Sequence, residues 1–208
     1  MGTTSKATGG KKSKAEQEIT DGLLERCANE IGCEVDALKA VIRVETGNRG
    51  GFIAPSKPPI LFEGHVFWRN LSNPKSHVTG NEDILYAKAT KKYYKGGLAE
   101  YDRLERAKKI DETAALKGAS WGILQILGEN YRACGCSSVQ EMVNKMCTST
   151  DEQLKLGVKF ICSNSERKNA LVKKDWATFA RLYNGAGYAA NEYDKKLAAS
   201  YEAIKNGK

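Results

Sequence analysis

A glutamate at the end of a well-patterned helix is the first residue that could do chemistry. Glu45 lies in VIRVETGN, in the last turn of a predicted helix, EVDALKAVIRVE, that stops at Gly47. The helix macrodipole disfavours a negative charge there, and partial burial would also raise the pKa of the carboxyl. A carboxyl that stays protonated near neutral pH can protonate a glycosidic oxygen as a general acid. On position alone, a surface glutamate is the commoner interpretation.

The segment SWGILQILGENY, residues 120–131, mixes an apolar helical spacing with polar side chains. We predict a short helix over residues 121–127 with Ser120 as its cap, and three polar residues interrupt or follow its apolar pattern: Gln125, Glu129 and Asn130. A core helix avoids such residues. They are therefore either ordinary solvated positions or part of a cleft.

A third segment, ARLYNGAGYAANEYDKKL, contains Tyr183 and Asn184 at the predicted end of a helix. Gly185 follows directly, as is typical of a helix C-terminus, and small residues precede the next helix. In a mostly helical fold, a functional site is built from helix ends and loops. Tyr183 and Asn184 would supply a hydroxyl and an amide to such a site.

The elements that must position these residues are mostly helices. Capping signals and apolar periodicity predict helices over residues 13–31, 34–45, 64–71, 98–116, 121–127, 137–147, from 150 onward, 176–184 and 189–204. The first begins at the capping-box spacing of Ser13 and Glu16 and ends at Gly32. Ile60–Phe62 predicts a short strand after a loop rich in glycine and proline. Residues 72–97 are rich in lysine and weakly patterned.

These elements predict a mainly α fold, a single globular helical domain with a small extended element near residues 50–63. The 208 residues suffice for one sizeable core. Residues 1–14 are predicted to be a disordered basic leader, and residues 15–208 the folded domain. The N-terminus has no apolar signal-peptide core, and no apolar run reaches the length of a membrane span.

The net charge of +8 predicts attraction to a polyanion. Basic clusters recur along the chain, at Lys11–Lys12, Lys91–Lys92–Lys95, Lys108–Lys109, Lys173–Lys174 and Lys195–Lys196. Each cluster alone is most simply a solvated helix face. Together they are compatible with nucleic acid, a bacterial wall or anionic lipopolysaccharide, and charge does not choose among these partners.

Six cysteines and two histidines limit the possible metal and redox chemistry. Without an export signal, reduced and partly buried thiols are the expectation rather than a disulfide scaffold. The spacing of Cys134 and Cys136 is shorter than that of a zinc knuckle, and a zinc hydrolase needs more histidines than His65 and His77. We therefore predict no metal and no cofactor.

In this order, a helix-end Glu, then Gly-x-x-Gln-Ile, then Tyr-Asn-Gly, the three segments resemble the lysozyme-like superfamily of goose-type lysozymes and soluble lytic transglycosylases. The intervening residues VETGNRGGF, PPILFEGHVFW and ALKGASWGILQILGENYRACG are similar to the N-acetylmuramidase domain of phage endolysins. The resemblance extends over residues 16–205 and implies an α+β lysozyme-like fold. It also implies that residues 15–208 form a muramidase catalytic domain.

The resemblance implies roles for named residues. Glu45 would be the general acid, and Glu63, which follows the predicted strand, would be its partner, acting as a base or stabilising an oxocarbenium-like transition state. His65 would orient Glu63, although Glu63 could instead pair with Arg43 or Arg49. Substrate binding is assigned to Gln125, Asn130, Tyr131, Tyr183, Asn184 and Trp121, the last being either a core residue or a stacking surface for a sugar.

The implied function is cleavage of the bond between N-acetylmuramic acid and N-acetylglucosamine in peptidoglycan, by a monomer without cofactor. A lytic transglycosylase on the same bond is the neighbouring alternative, and a noncatalytic basic module that binds wall polymer or nucleic acid is another. A peptidase using Cys33 and His65 lacks a recognisable motif. The family also implies a protein held in the host cytoplasm until a holin releases it, although delivery by a secretion apparatus is an alternative.

Overall fold

The computed structural model describes residues 19–47 and 50–207, and there the chain is mostly helical. Ten α-helices occur in these ranges: α1 (Asp21–Ile31), α2 (Val35–Thr46), α3 (Gly64–Asn70), α4 (Ala99–Lys108), α5 (Glu112–Lys117), α6 (Val139–Met146), α7 (Thr150–Cys162), α8 (Ser165–Lys173), α9 (Trp176–Asn184) and α10 (Tyr193–Lys205). Three short strands accompany them: β1 (Ile60–Phe62), β2 (Ala119–Trp121) and β3 (Ile126–Leu127). The predicted mainly α fold with a small extended element is confirmed. The predicted leader, residues 1–14, lies outside the described residues.

Local signals place several helix ends where the sequence predicts them. Gly47 ends α2 with a backbone φ of 58°, in the left-handed region that glycine adopts without a Cβ clash. Ser138 caps α6 by accepting a hydrogen bond from the Glu141 amide. The first helix is shorter than predicted, because it begins at Asp21 after the cap Thr20. The capping box at residues 13–16 lies outside the described residues.

The predicted helix over residues 121–127 is wrong, because this segment is a β-hairpin. Strands β1, β2 and β3 form an antiparallel sheet in that order, with Ile60 opposite Trp121 and Trp121 opposite Ile126. Gly122 and Gln125 adopt φ values of 74° and 44°, which a helix does not allow.

The tip of the hairpin, rather than a helix face, enters the core. Leu124 is buried there against Gly157 of α7, where an added Cβ would lie 2.0 Å from Leu124 Cδ1. The turn between β2 and β3 points its apolar residues into the core. Their spacing in the sequence therefore resembles that of a helix, although the segment is a hairpin.

Other boundaries differ from the prediction for local reasons. The predicted helix over 98–116 is two helices, because Asp111 caps α5 by accepting a hydrogen bond from Ala114 N at 2.8 Å. Helix α8 was not predicted, and α10 begins at Tyr193 after a 3-10 turn over Ala186–Asn191.

None of the helices that the structure describes is both long and apolar enough to cross a bilayer.

The cysteines lie in or beside the core, and no disulfide joins them in the described residues. Cys27, Cys134 and Cys136 are buried, and burial raises the pKa of the Cys134 thiol to about 12. Burial likewise raises the pKa of Cys33 to about 11. Thiols with such pKa values are poor nucleophiles at neutral pH, which argues against the peptidase alternative that uses Cys33.

We predict that unreduced protein, unfolded in denaturant, titrates six thiols with a chromogenic disulfide reagent. In the native protein the buried thiols should react slowly, because few of them ionise and the reagent does not reach them. A sample reduced before unfolding is the control. Finding two or fewer thiols without reduction would contradict this prediction.

Candidate active site

One cleft of about 850 Å³ contains both candidate carboxylates. It lies where the end of α2, the junction of β1 and α3, the β2–β3 hairpin and the end of α9 meet. Its lining includes most of the residues that the sequence singled out: Glu45, Glu63, His65, Gln125, Asn130, Tyr183 and Asn184. The fold therefore brings together side chains from segments that are up to 139 residues apart.

Glu45 is partly buried at the end of α2 and receives one polar contact from α9. Asn184 Nδ2 donates a hydrogen bond to Glu45 Oε1 at 3.2 Å. Burial raises the pKa of Glu45 to about 7, and the donated hydrogen bond opposes this rise. Burial is thus the main physical cause of the elevated pKa of Glu45. The sequence predicted this elevation from the position of Glu45 at a helix end and from partial burial. At neutral pH a substantial fraction of this carboxyl holds a proton.

Glu63 lies at the end of β1 and caps α3, and its surroundings are more polar. Its amide donates to Gly118 O at 2.8 Å, and Ser120 Oγ donates to Glu63 Oε1 at 3.3 Å. Burial raises the pKa of Glu63, but the hydrogen bond from Ser120, the charge of Arg69 and the nearby hydroxyl of Tyr94 all favour the carboxylate.

The expected neighbours of Glu63 need correction. The charge of Arg69 of α3, which the sequence did not identify, lowers the pKa of Glu63, and Arg49 lies outside the described residues. His65 Nε2 lies 3.8 Å from Glu63 Oε2, which is too long for a hydrogen bond. Burial and the charge of Arg69 lower the pKa of His65, so its ring is neutral at pH 7. His65 therefore packs beside Glu63 without forming the predicted hydrogen bond.

Gln125 lines the cleft from the hairpin turn, with its amide group already engaged. Its Nε2 donates to Pro59 O at 3.1 Å and to Gly122 O at 2.8 Å. Both amide hydrogens are therefore used within the protein, which leaves the carbonyl oxygen as the group for a ligand. The polar positions of this segment do line a cleft, although they do so from a hairpin and, for Asn130, from the 3-10 turn Gly128–Asn130.

Tyr183 joins the end of α9 to the hairpin. Its hydroxyl donates to Leu124 O at 2.6 Å, and its ring stacks on Phe179 with centroids 5.1 Å apart. Burial and the negative charge of Glu45 raise the pKa of Tyr183, so the phenol remains a donor at all working pH values. These contacts of Tyr183 hold the end of α9 in place, and the next residue, Asn184, donates its hydrogen bond to Glu45 from there.

Two predicted substrate-binding residues are corrected by the structure. Trp121 is 2% exposed, and its indole Nε1 donates to Leu116 O at 3.1 Å, so it is a core residue of the sheet. Tyr131 packs against the core outside the lining of the cleft, with the Arg132 guanidinium 5.6 Å from its ring centroid. Neither ring is placed to stack on a sugar in the cleft.

The structure adds cleft residues that the sequence did not identify. Tyr94 and Lys91 come from the weakly patterned segment 72–97, and Lys196 and Tyr193 come from α10. Lys91 Nζ donates to Asn191 Oδ1 at 2.5 Å, which joins the two sides of the cleft mouth. The available signal was the run KKYYKGG, residues 91–97, in which lysines flank two adjacent tyrosines and two glycines follow.

The described residues contain no group of three or more side chains suited to hold a metal ion.

Comparisons with known proteins identify the family. The family model for N-acetylmuramidase matches residues 34–205. Among solved structures, the crystal structure of the Burkholderia AP3 phage endolysin is similar, with a TM-score of 0.79 and 34% sequence identity. That match covers 96% of this chain and 75% of the endolysin chain. A comparison with curated proteins returns no match.

The family match includes both carboxylates and the Tyr183–Asn184 segment, and the structural match confirms the lysozyme-like fold. The chain therefore belongs to the N-acetylmuramidase family, the peptidoglycan-degrading glycoside hydrolases.

Proposed function

We propose that the protein hydrolyses the bond between N-acetylmuramic acid and N-acetylglucosamine, with Glu45 as general acid and Glu63 as its partner. The observation that carries this proposal is the presence of two carboxylates in one cleft with different environments. Two such groups can take the acid and the base or stabiliser roles when their surroundings separate their pKa values.

Glu45 suits the role of the acid, because burial raises its pKa to about 7. The protonated carboxyl would give its proton to the glycosidic oxygen as the bond to the anomeric carbon breaks. Asn184 donates to Glu45 Oε1, so it orients the carboxyl and stabilises the carboxylate that remains after proton transfer.

Burial raises the pKa of Glu63, but Ser120, Arg69 and Tyr94 oppose this rise and favour the charged form, which suits the role of the ionised partner. In the hydrolytic mechanism it would activate a water molecule or stabilise the positive charge that develops at the anomeric carbon. Lytic transglycosylases manage with one catalytic carboxylate, so a second one in the cleft favours hydrolysis.

The cleft also offers polar groups for the amino sugars. The carbonyl oxygen of Gln125 would accept a hydrogen bond from an acetamido N–H group, since its amide nitrogen is occupied. Asn130 offers both a donor and an acceptor. Lys91 and Lys196 place positive charge at the cleft for a substrate that carries carboxylates.

The similar solved structure is a phage endolysin, and this similarity supports a proposal for the biological setting. We infer that this protein likewise acts as a monomer on the wall of a bacterial host, after release from the cytoplasm. Its lysine clusters would attract it to the anionic wall or to lipopolysaccharide rather than to a specific nucleic acid.

The Glu45→Gln variant tests the general acid. Glutamine keeps the shape but has no transferable proton, so cleavage of peptidoglycan should fall by about 10²–10⁴-fold. The measurement is the initial rate of turbidity loss of purified wall, with circular dichroism to check folding. Glu202→Gln, at an exposed position of α10, is the matched control. Near-normal lysis by Glu45→Gln would remove Glu45 from the mechanism.

The pH dependence of the same variant gives an independent check. Folded Glu45 holds its proton up to about pH 7, whereas in the unfolded chain its pKa is near 4.5. Glu45 therefore contributes stability below pH 4.5 that is lost as the pH rises to about 7. Chemical denaturation should show this loss in the wild type and not in Glu45→Gln. Activity of the wild type should likewise decline above about pH 7.

Glu63→Gln, together with product analysis, tests hydrolysis. This change should reduce turnover severely while glycan binding remains measurable, because only the ionisable group is lost. Mass spectrometry of wild-type products should show reducing N-acetylmuramic acid ends. Products with 1,6-anhydro ends, combined with an active Glu63→Gln variant, would instead identify a transglycosylase.

Salt dependence tests the lysine clusters. Lysis should slow as the Debye length shrinks to about 8 Å near 0.15 M salt, because screening weakens attraction to the wall. Several clustered lysines already pair with acids, as Lys174 does with Glu34 and Lys195 with Glu192.

The informative changes are therefore Lys109→Glu and Lys173→Glu, at two exposed positions outside the cleft lining. The double variant should flatten the salt response without affecting cleavage of short soluble glycans. A matched Lys→Gln pair should give a smaller effect. Lysis that stays constant with salt in the wild type would show that the clusters are only solvated faces.

A further inference from the structure

A fully buried carboxylate lies behind the active site and is not part of the cleft. Glu100 of α4 is 0% exposed and accepts four hydrogen bonds. Its Oε2 accepts from Phe62 N at 3.1 Å and from Arg103 Nη1 at 2.7 Å. Its Oε1 accepts from Lys95 N at 2.6 Å and from Gly96 N at 2.9 Å. Burial opposes its ionisation, but these amides and the charge of Arg103 outweigh burial and lower the pKa of Glu100.

The backbone groups that Glu100 holds belong to two distant segments that meet in the cleft. Phe62 immediately precedes Glu63, and Lys95 immediately follows Tyr94. One carboxylate therefore fixes the backbone next to Glu63 and next to Tyr94, and both of these side chains line the cleft.

Arginines of α4 extend this attachment. Arg103 donates from Nη1 to Phe62 O at 2.8 Å and from Nη2 to Asp83 O at 2.6 Å. Arg106 forms a bidentate pair with the Asp83 carboxylate, at 2.8 and 2.9 Å. Residues 83–96, which carry Tyr94 and form the lysine-rich wall of the cleft, are thus held on α4 at their start and at their end.

We propose that Tyr94 positions the Glu63 carboxylate by donating a hydrogen bond to it, and that Glu100 acts through Tyr94 by holding both chain segments in register. This inference rests on the proposed role of Glu63 as the ionised partner. Both residues are positioning residues, since Tyr94 acts through Glu63 and Glu100 lies outside the cleft lining.

The other donors near Glu63 are few in the described residues. Ser120 Oγ donates to Glu63 Oε1 at 3.3 Å, and Arg69 uses Nε and Nη2 on Glu129. Burial and the charge of Glu63 raise the pKa of Tyr94, so its hydroxyl keeps its proton and can only be a donor to a carboxylate. The titratable and charged groups facing Glu63 are His65 and Arg69 from α3, Glu129 from the 3-10 turn, Tyr94, and Tyr193 from α10.

Tyr94→Phe tests the inference, because it removes one hydroxyl and leaves the ring. The pH profile of kcat/KM should have an acid limb set by Glu63 and an alkaline limb set by Glu45. Loss of a donor to a carboxylate raises its pKa, so the acid limb should move to higher pH by about one unit. The alkaline limb should not move, and a purely structural defect would lower the whole profile without shifting one limb.

Tyr93→Phe is the matched control. Tyr93 is the neighbouring tyrosine, its ring packs on Tyr86 with centroids 5.1 Å apart, and it lies outside the cleft lining. Its profile should coincide with that of the wild type.

Glu100→Gln, alone and combined with Tyr94→Phe, tests the proposal that Glu100 acts through Tyr94. If Glu100 acts through Tyr94, Glu100→Gln should shift the acid limb in the wild-type background and add little in the Tyr94→Phe background. Equal shifts in both backgrounds would overturn this role of Glu100. Should Glu100→Gln fail to fold, the Tyr94→Phe profile still decides whether Tyr94 positions Glu63.

The residual activity of Glu63→Gln separates the two proposals. If its acid limb persists, the limb does not belong to Glu63, and both the proposed role of Glu63 and this inference fail. If the limb disappears in Glu63→Gln but stays in place in Tyr94→Phe, the proposed function stands and only the inference is overturned.

Discussion

The buried ion pair between Glu100 and Arg103 is the interaction on which the wall of the active site depends. Both side chains are at most 1% exposed, and charges removed from water are tolerated only when donors and acceptors surround them. The partners of this pair come from β1, from the chain between residues 83 and 96, and from α4. Satisfying the pair therefore requires these three segments to come together. Removing one member would leave a buried charge unpaired, at a cost of about 3–5 kcal/mol.

The cleft shows how one helical scaffold gives two carboxylates different properties. Among the described residues Asn184 donates the one hydrogen bond to Glu45, so burial dominates and raises the pKa of Glu45 to about 7. Burial also raises the pKa of Glu63, but a hydroxyl from β2, a guanidinium from α3 and a phenol from the lysine-rich wall oppose this rise and favour the ionised form. The surroundings of the two carboxylates differ because the helix ends have different neighbours. The end of α2, with Glu45, meets α9, whereas the start of α3, with Glu63, lies beside the sheet and the lysine-rich wall.

The features predicted from sequence are those encoded within a few residues of the chain. The end of α2 follows from its apolar spacing and from Gly47, and the start of α6 follows from the Ser138 cap. The order of three motifs indicated the family and the cleft residues Glu45, Gln125 and Asn184. The same local signals failed for residues 121–127, because the burial of Leu124 against Gly157 of a distant helix is not visible in the segment itself.

The sequence by itself determined a mainly helical domain, the position of Glu45 at a helix end and the motif order of its family, because periodicity and capping act over a single turn. Only the tertiary structure decided that residues 120–127 form a hairpin, that Trp121 is a core residue, and that Tyr94 lies in the same cleft as Glu63. The wall carrying Tyr94 has little regular secondary structure. Its path depends on hydrogen bonds with the buried groups of α4, and these same groups hold the backbone of β1, up to 41 residues away in the chain. Such long-range pairing of buried polar groups leaves no periodic trace in the sequence, and for that reason the lysine-rich segment was the least predictable part of the site.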